Sequence, residues 1–269
     1  GRPRRRLAAP APGRSRGRAM SPASPPLLDV QALDKRYGGL HVTRSVNLRL
    51  RAGERLALIG PNGAGKTTLV NQISGTVAPS GGRILLAGQD ITAMAQARRV
   101  RLGLARTFQI TTLAPTLAVQ HQVAMALFER EGLAGGAWRP IAAYPVLAAE
   151  ARALLAQLGL AQQAAWPAER LAYGEQRLVE IALALALRPR VLLLDEPMAG
   201  VPQSDGPRLL AALNALPPAL AVLIIEHDMD LVFRFAQRIV VLAEGAVLAD
   251  GTPEAIRQDA GVRQAYLGN

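Results

Sequence analysis

Gly60-Pro61-Asn62-Gly63-Ala64-Gly65-Lys66-Thr67-Thr68 places spaced glycines ahead of one lysine and two hydroxyls. This is the G-x-x-x-x-G-K-[ST] spacing of a phosphate-binding loop. Glycines let the backbone curl until successive N–H groups converge on phosphate oxygens. A helix starting at Lys66 adds its positive dipole end to the same anion. Lys66 can then reach the β- and γ-phosphates, and the Thr67 hydroxyl can ligate Mg²⁺. Apart from Lys35, Lys66 is the only lysine in an arginine-rich chain. The motif specifies a nucleoside triphosphate and no more, because kinases, GTPases, helicases and transporters all use it.

Two further groups could act on such a ligand. Arg190-Val-Leu-Leu-Leu-Asp195-Glu196-Pro197 reads as a buried strand ending in two carboxylates. Ligands of parallel sheets bind at the carboxyl ends of strands. Asp195 can hold Mg²⁺ there, directly or through water, and Glu196 can polarise an attacking water as general base. Taken alone, this pair could equally be a surface turn. Upstream, Leu171-Ala172-Tyr173-Gly174-Glu175-Gln176 opens a predicted helix, and Gly174 with the helix start could present N–H groups to a phosphate.

The elements around these residues follow from periodicity. Leu28-Val30-Ala32 and Val46-Leu48-Leu50 alternate with polar residues, as half-buried antiparallel strands do. Leu56 to Ile59 is a short apolar strand, and Lys66 to Ser74 a helix stopped by Gly75. Arg83 to Ala87 is another strand. The middle of the chain is helical, with Thr116 to Arg130 and Val146 to Leu158 separated by a Gly, Trp and Pro-rich loop. Helices over Gly174 to Leu187, Asp205 to Leu216 and Asp228 to Phe235 then alternate with strands over Val191 to Leu194 and Ala221 to Ile225. Two short strands flank the Glu244-Gly245 turn. Alternating strands and helices predict an α/β fold with a mostly parallel sheet and helices on both faces.

The chain has 269 residues, half of them hydrophobic, so it can bury a sizeable core. Aromatics are 4%, so that core must be aliphatic. The absence of cysteine excludes disulfides, thiolate zinc sites and a cysteine nucleophile. The net charge is +11, but Arg2, Arg4, Arg5, Arg6, Arg14, Arg16 and Arg18 crowd a segment with no acid, leaving the rest mildly basic. No specific nucleic acid is therefore expected as a partner. Residues 1–26 lack periodicity and are expected to be a disordered leader, with 27–269 as a single domain. Met20 could be the true start. A transit peptide or a basic arm would also fit the leader's composition. No apolar run approaches the roughly 20 residues of a membrane span, so work at a membrane would require docking on another chain.

The order of these motifs resembles the ABC ATPase family, whose signature L-S-G-G-Q corresponds to Leu171–Gln176. That resemblance implies a RecA-like P-loop NTPase core with an antiparallel β subdomain and a helical subdomain, here about 110–187. It also implies that Gln109 in Thr107-Phe108-Gln109 contacts Mg²⁺ and water and couples the site to a membrane partner. His227 in Glu226-His227-Asp228-Met229 would touch the γ-phosphate, and Tyr37 would stack on adenine. In this family ATP is sandwiched between one copy's phosphate loop and the other's signature. From about Leu27 to Asn269 the chain is similar to the ATPase subunit of branched-chain amino acid importers. The cues are Arg106-Thr107-Phe108-Gln109, the Leu-Ala-Tyr-Gly signature, Glu226–Met229, and Gly251-Thr252-Pro253-Glu254-Ala255-Ile256 with Ala265-Tyr266-Leu267-Gly268. Implied partners are membrane permease subunits, a second ATPase in a homo- or heterodimer and, indirectly, an extracytoplasmic solute-binding protein. The implied place is peripheral, on the cytoplasmic face of the inner or plasma membrane.

Urea and lipopolysaccharide transport ATPases share these cues, and soluble ABC ATPases of DNA repair or translation form a second alternative. The short stretch between Gln109 and Leu171 leaves no room for the long coiled coil of some of the latter. Two departures stand out. Ala172 removes the signature serine's hydroxyl, and Pro202 in Ala199-Gly200-Val201-Pro202 replaces a polar residue with one that lacks an N–H. His41 and His121 match no motif and are expected at the surface.

Overall fold

The computed structural model describes residues 25–107, 113–133 and 141–267. The expected disordered leader lies almost wholly outside these residues, as does Gln109. The strands are β1 (Leu28–Tyr37), β2 (Leu40–Leu50), β3 (Arg55–Ile59), β4 (Gly81–Leu86), β5 (Gln89–Asp90), β6 (Leu104–Arg106), β7 (Val191–Asp195), β8 (Ala221–Ile225), β9 (Arg238–Ala243) and β10 (Ala246–Gly251). The helices are α1 (Lys66–Ser74), α2 (Gln96–Arg101), α3 (Val119–Arg130), α4 (Pro145–Gln157), α5 (Tyr173–Ala186), α6 (Gly206–Asn214), α7 (Met229–Phe235), α8 (Pro253–Gln258) and α9 (Ala260–Leu267).

One sheet is antiparallel, in the order β2-β1-β4-β5. The other runs β10-β9-β3-β8-β7-β6 and is parallel except at the β9–β10 hairpin. Every residue of β7 and β8 is buried, as expected for strands covered on both faces. Because side chains alternate along a strand, each strand feeds two cores. Leu192, Leu194, Val222 and Ile224 join a cluster with α3, α4, α5 and α6. Val191, Leu193, Leu223 and Ile225 join another with α1 and the antiparallel sheet. Among the described buried residues Phe235 is the one aromatic, so the core is aliphatic.

Several boundaries differ from the sequence expectation. The helix expected from Thr116 starts at Val119. The Val119 and Gln120 amides donate to the carbonyls of Trp166 and Ala164, and Ala118 pairs with Pro167, so this end of the helix is tied to a neighbouring strand-like segment. His41 is not a free surface residue: it is half-buried and its Nε2 lies 2.6 Å from Asp34 Oδ1. His121 is exposed. The short elements β5, α2, β6, α8 and α9 had no strong periodic signal.

The reason α2 was invisible is that its buried residue is an arginine. Arg99 is 2% exposed and donates to the carbonyls of Met94, Gln72, Ile73 and Thr92 at 2.7–2.8 Å. Gln72 and Ile73 lie at the carboxyl end of α1, where a cation offsets the dipole and satisfies carbonyls left without helical partners. Gly75 ends that helix at φ +87°, and a Cβ there would lie 2.7 Å from Arg99 Nε. Arg99→Ala leaves several buried carbonyls without donors, at a cost of about 3 kcal/mol or more. The melting temperature should fall by about 6–12 °C for a chain of this size, read by thermal denaturation. An unchanged melting temperature would show that water replaces the guanidinium without loss.

Candidate active site

The phosphate loop connects β3 to α1 and is shaped by contacts that exclude side chains. Gly65 has φ +97°, and a Cβ there would sit 2.6 Å from the carbonyl oxygen of Val42. A Cβ on Gly60 would run into the Leu242 carbonyl. Ala64 is buried, while Asn62, Gly63 and Thr67 are exposed and Pro61 and Thr68 half-buried. Gly65 caps α1 without a side-chain acceptor, so no side chain competes for the N–H groups of the first turn. Lys66 is 6% exposed, and its Nζ donates to the Gly60 and Pro61 carbonyls at 2.7 and 3.0 Å. Burial lowers its proton affinity, and the nearby Glu196 carboxylate partly restores it.

Asp195 ends β7 and is 2% exposed. Its Oδ2 accepts from Arg106 Nη2 at 2.7 Å, whereas its buried Oδ1 has no hydrogen-bond partner. Glu196 follows with φ +48°, a conformation costly for a residue with a side chain. Its amide donates to the Ile225 carbonyl, and its own carbonyl accepts from Ala199. Its Oε1 meets His227 Nε2 at 3.0 Å, joining the ends of β7 and β8. Tyr37, at the end of β1, is half exposed with the Lys35 ammonium 4.7 Å from its ring centroid.

Glu226 and Arg106 appeared in the sequence only as parts of longer motifs, and the structure gives each a distinct place. Glu226 is 3% exposed. Its carboxylate accepts from the amides of Met198, His227 and Asp228 at 2.8, 2.9 and 3.3 Å. Burial raises its proton affinity, and the three amides only partly offset this. An acidic residue directly after a fully apolar strand was the available signal.

The segment Leu171–Gln176 makes its bonds elsewhere. Leu171 is buried, while Ala172 and Tyr173 are exposed at the start of α5. Glu175 accepts from the Ala172 amide, Gln163 and Arg208, and Gln176 donates to the carbonyls of Ala168 and Leu171. Both side chains are thus engaged in holding the helix start. A Cβ on Gly174 would sit 3.1 Å from the Asp205 side chain at the start of α6, a tight contact that Asp205 would have to relieve by a small shift. The Tyr173 ring rests against Gly200, whose φ is +75°. The Pro202 carbonyl accepts from the Asp205 amide, and the turn around it is closed by the amides of Ala199 and Val201.

Residues 43–199 match the family model for ABC transporters, and residues 246–269 match that for the branched-chain amino acid ATP-binding cassette transporter. The chain is 39% identical over 258 residues to the high-affinity branched-chain amino acid transport ATP-binding protein LivG of Escherichia coli K12, covering 91% of this chain and 99% of that protein. It is 40% identical, with the same coverage, to BraF of Pseudomonas aeruginosa, which carries the same description. Its fold is similar to the ADP conformation of MJ1267, an ATP-binding cassette of an ABC transporter, at a TM-score of 0.80 and 27% identity, covering 91% of this chain and all of that one.

Proposed function

The chain belongs to the ATP-binding cassette family of ABC transporters, and from that premise we propose that it binds and hydrolyses ATP to energise import of branched-chain amino acids. The observation that carries the hydrolytic part is the 3.0 Å contact between Glu196 and His227, with Glu196 directly following buried Asp195. In this reading Lys66 exchanges its bonds to Gly60 and Pro61 for phosphate oxygens, and the first-turn amides of α1 hold the same phosphates. Tyr37 offers its exposed ring to the base. Thr67 and Asp195 are the residues that would hold Mg²⁺, and the donorless buried Oδ1 of Asp195 fits that use. Held there, the ion would supply charge neutralisation at the phosphates. Glu196 takes the proton of the attacking water, while His227 fixes its carboxylate and reaches toward the γ-phosphate. Gln109 belongs to the same set through its place in the motif.

A second ATPase copy, identical or related, completes each site with the start of its own α5, through the amides around Ala172, Tyr173 and Gly174. The missing hydroxyl at Ala172 is then replaced by backbone donors. Closure displaces the helical region at about 110–187 against a permease, and a solute-binding protein delivers the amino acid. Among the described residues no helix is long and apolar enough to cross a membrane, which is compatible with peripheral attachment to the cytoplasmic face. The test is copurification from native membranes followed by reconstitution of the captured permease in liposomes. Leucine, isoleucine or valine, presented with the solute-binding protein, should stimulate ATP hydrolysis. Stimulation by an unrelated solute alone would overturn the assignment of substrate.

A further inference from the structure

We infer that Arg106 is a positioning residue of the metal site, holding one oxygen of Asp195 so that the other remains turned to Mg²⁺. This rests on the reading in which Thr67 and Asp195 ligate that ion. Arg106 ends β6 in register with Leu193 of β7. Asp195 lies two residues beyond Leu193 and therefore on the same face of the sheet, the face packed by α1. The guanidinium spans that interface. Nη2 donates to Asp195 Oδ2 at 2.7 Å, while Nη1 donates to Asn71 Oδ1 at 2.6 Å and Ser74 Oγ at 3.3 Å. Its side chain is 9% exposed and that of Asp195 1%.

The geometry is unlike that of a simple counter-ion. An arginine that only neutralises a carboxylate favours the two-pronged pairing, one nitrogen to each oxygen. Here one nitrogen takes a single carboxylate oxygen and the other turns to α1. Asn71 lies four residues after Thr67, one helical turn along the same face. Arg106 thus links the turn next to one proposed ligand with the carboxylate of the other, and sets the gap between them. Asp195 Oδ1, buried and without a donor, is the atom this arrangement leaves available. A rigid planar fork can hold both ends at once, which the single ammonium of lysine cannot.

The test measures metal linkage rather than turnover. The full chain is titrated calorimetrically with the nonhydrolysable analogue AMP-PNP, once in EDTA and once in saturating Mg²⁺. The ratio of the two affinities reports how well the protein holds the ion on the nucleotide. Arg106→Gln should shrink that ratio by about tenfold or more, the scale of losing a residue that orients a metal ligand. Affinity in EDTA should stay unchanged. Arg106→Lys should fall between parent and Arg106→Gln. Asn71→Ala, which keeps the ion pair and removes the shorter of the two bonds to α1 while that to Ser74 remains, should shift the ratio in the same direction by less. A ratio unchanged in all three variants, with only the melting temperature lowered, would make Arg106 a structural counter-ion and overturn the inference. A parent protein that binds AMP-PNP but no tighter with Mg²⁺ would remove the metal reading itself, and it would do so before any variant is examined.

Discussion

Glu196→Gln should slow ATP hydrolysis by about 10²-fold or more while leaving ATP bound, the scale of losing a positioned general base. The substitution keeps the side chain's shape and removes its basicity. Lys66, the α1 amides and Asp195 are untouched, so nucleotide affinity should hold. His227→Ala should act in the same direction, because Glu196 Oε1 and His227 Nε2 are 3.0 Å apart and form one unit. The double variant should then be little worse than the more damaging single one, since residues acting together lose their effects non-additively. Phosphate release after a single turnover gives the rate, and size exclusion shows whether the ATP-loaded variant accumulates as a dimer. Parental turnover in Glu196→Gln would mean that the base lies elsewhere. Glu196 is held at φ +48° by its bonds to the Ile225 carbonyl and the Ala199 amide, which fix where its side chain starts.

The parts of the molecule with strong local signals were legible in the sequence. The helix Lys66–Ser74 with its Gly75 stop and the apolar strands ending at Asp195 and Ile225 were expected with small changes at their ends, whereas only about half of β1 and β2 was expected, and a register shift after Val30 exposes Ala32 and buries Leu33 instead. Glycine spacing and uninterrupted apolar runs encode those features within a few residues. What escaped notice was held by side chains reaching across the sequence. Arg99 and Arg106 carry no periodic signal, yet Arg99 is buried and Arg106 half-buried because distant carbonyls or an acid receive their donors. The sequence marks Gly174 as a possible phosphate donor, and nothing in it shows that the Asp205 side chain also packs tightly against it. The strand β6 has three residues, too few for a period, although it places Arg106. The proposed relation of the signature to a phosphate depends on a second chain, which no periodicity within one chain encodes.

Glu226→Ala should lower both stability and turnover, and its effects separate positioning from chemistry. The substitution leaves the amides of Met198, His227 and Asp228 without their acceptor, a loss of about 3 kcal/mol or more. Those amides belong to the loops that carry Glu196 and His227, and displacement of such groups by about 1 Å can cost about 10²-fold in rate. The loop Gly60–Gly65 hangs on β3 and α1 instead, so kcat should fall while KM for ATP changes little. A parallel rise in KM would show that Glu226 acts only through the fold as a whole. Protonation provides a second readout. Burial raises the proton affinity of folded Glu226 above its unfolded value. Its stabilising contribution is therefore fully present below the unfolded pKa and is lost as pH rises through the folded one. Acidification through that window favours the fold at this residue, yet weakens the grip of its carboxylate on the three amides. Activity should thus fall where this contribution to stability rises. Glu226→Gln is neutral at every pH, so the melting temperature of the parent relative to this variant should increase toward acid. A difference that stays flat with pH would mean that Glu226 binds its proton equally well in both states, and that the three amides fully offset its burial.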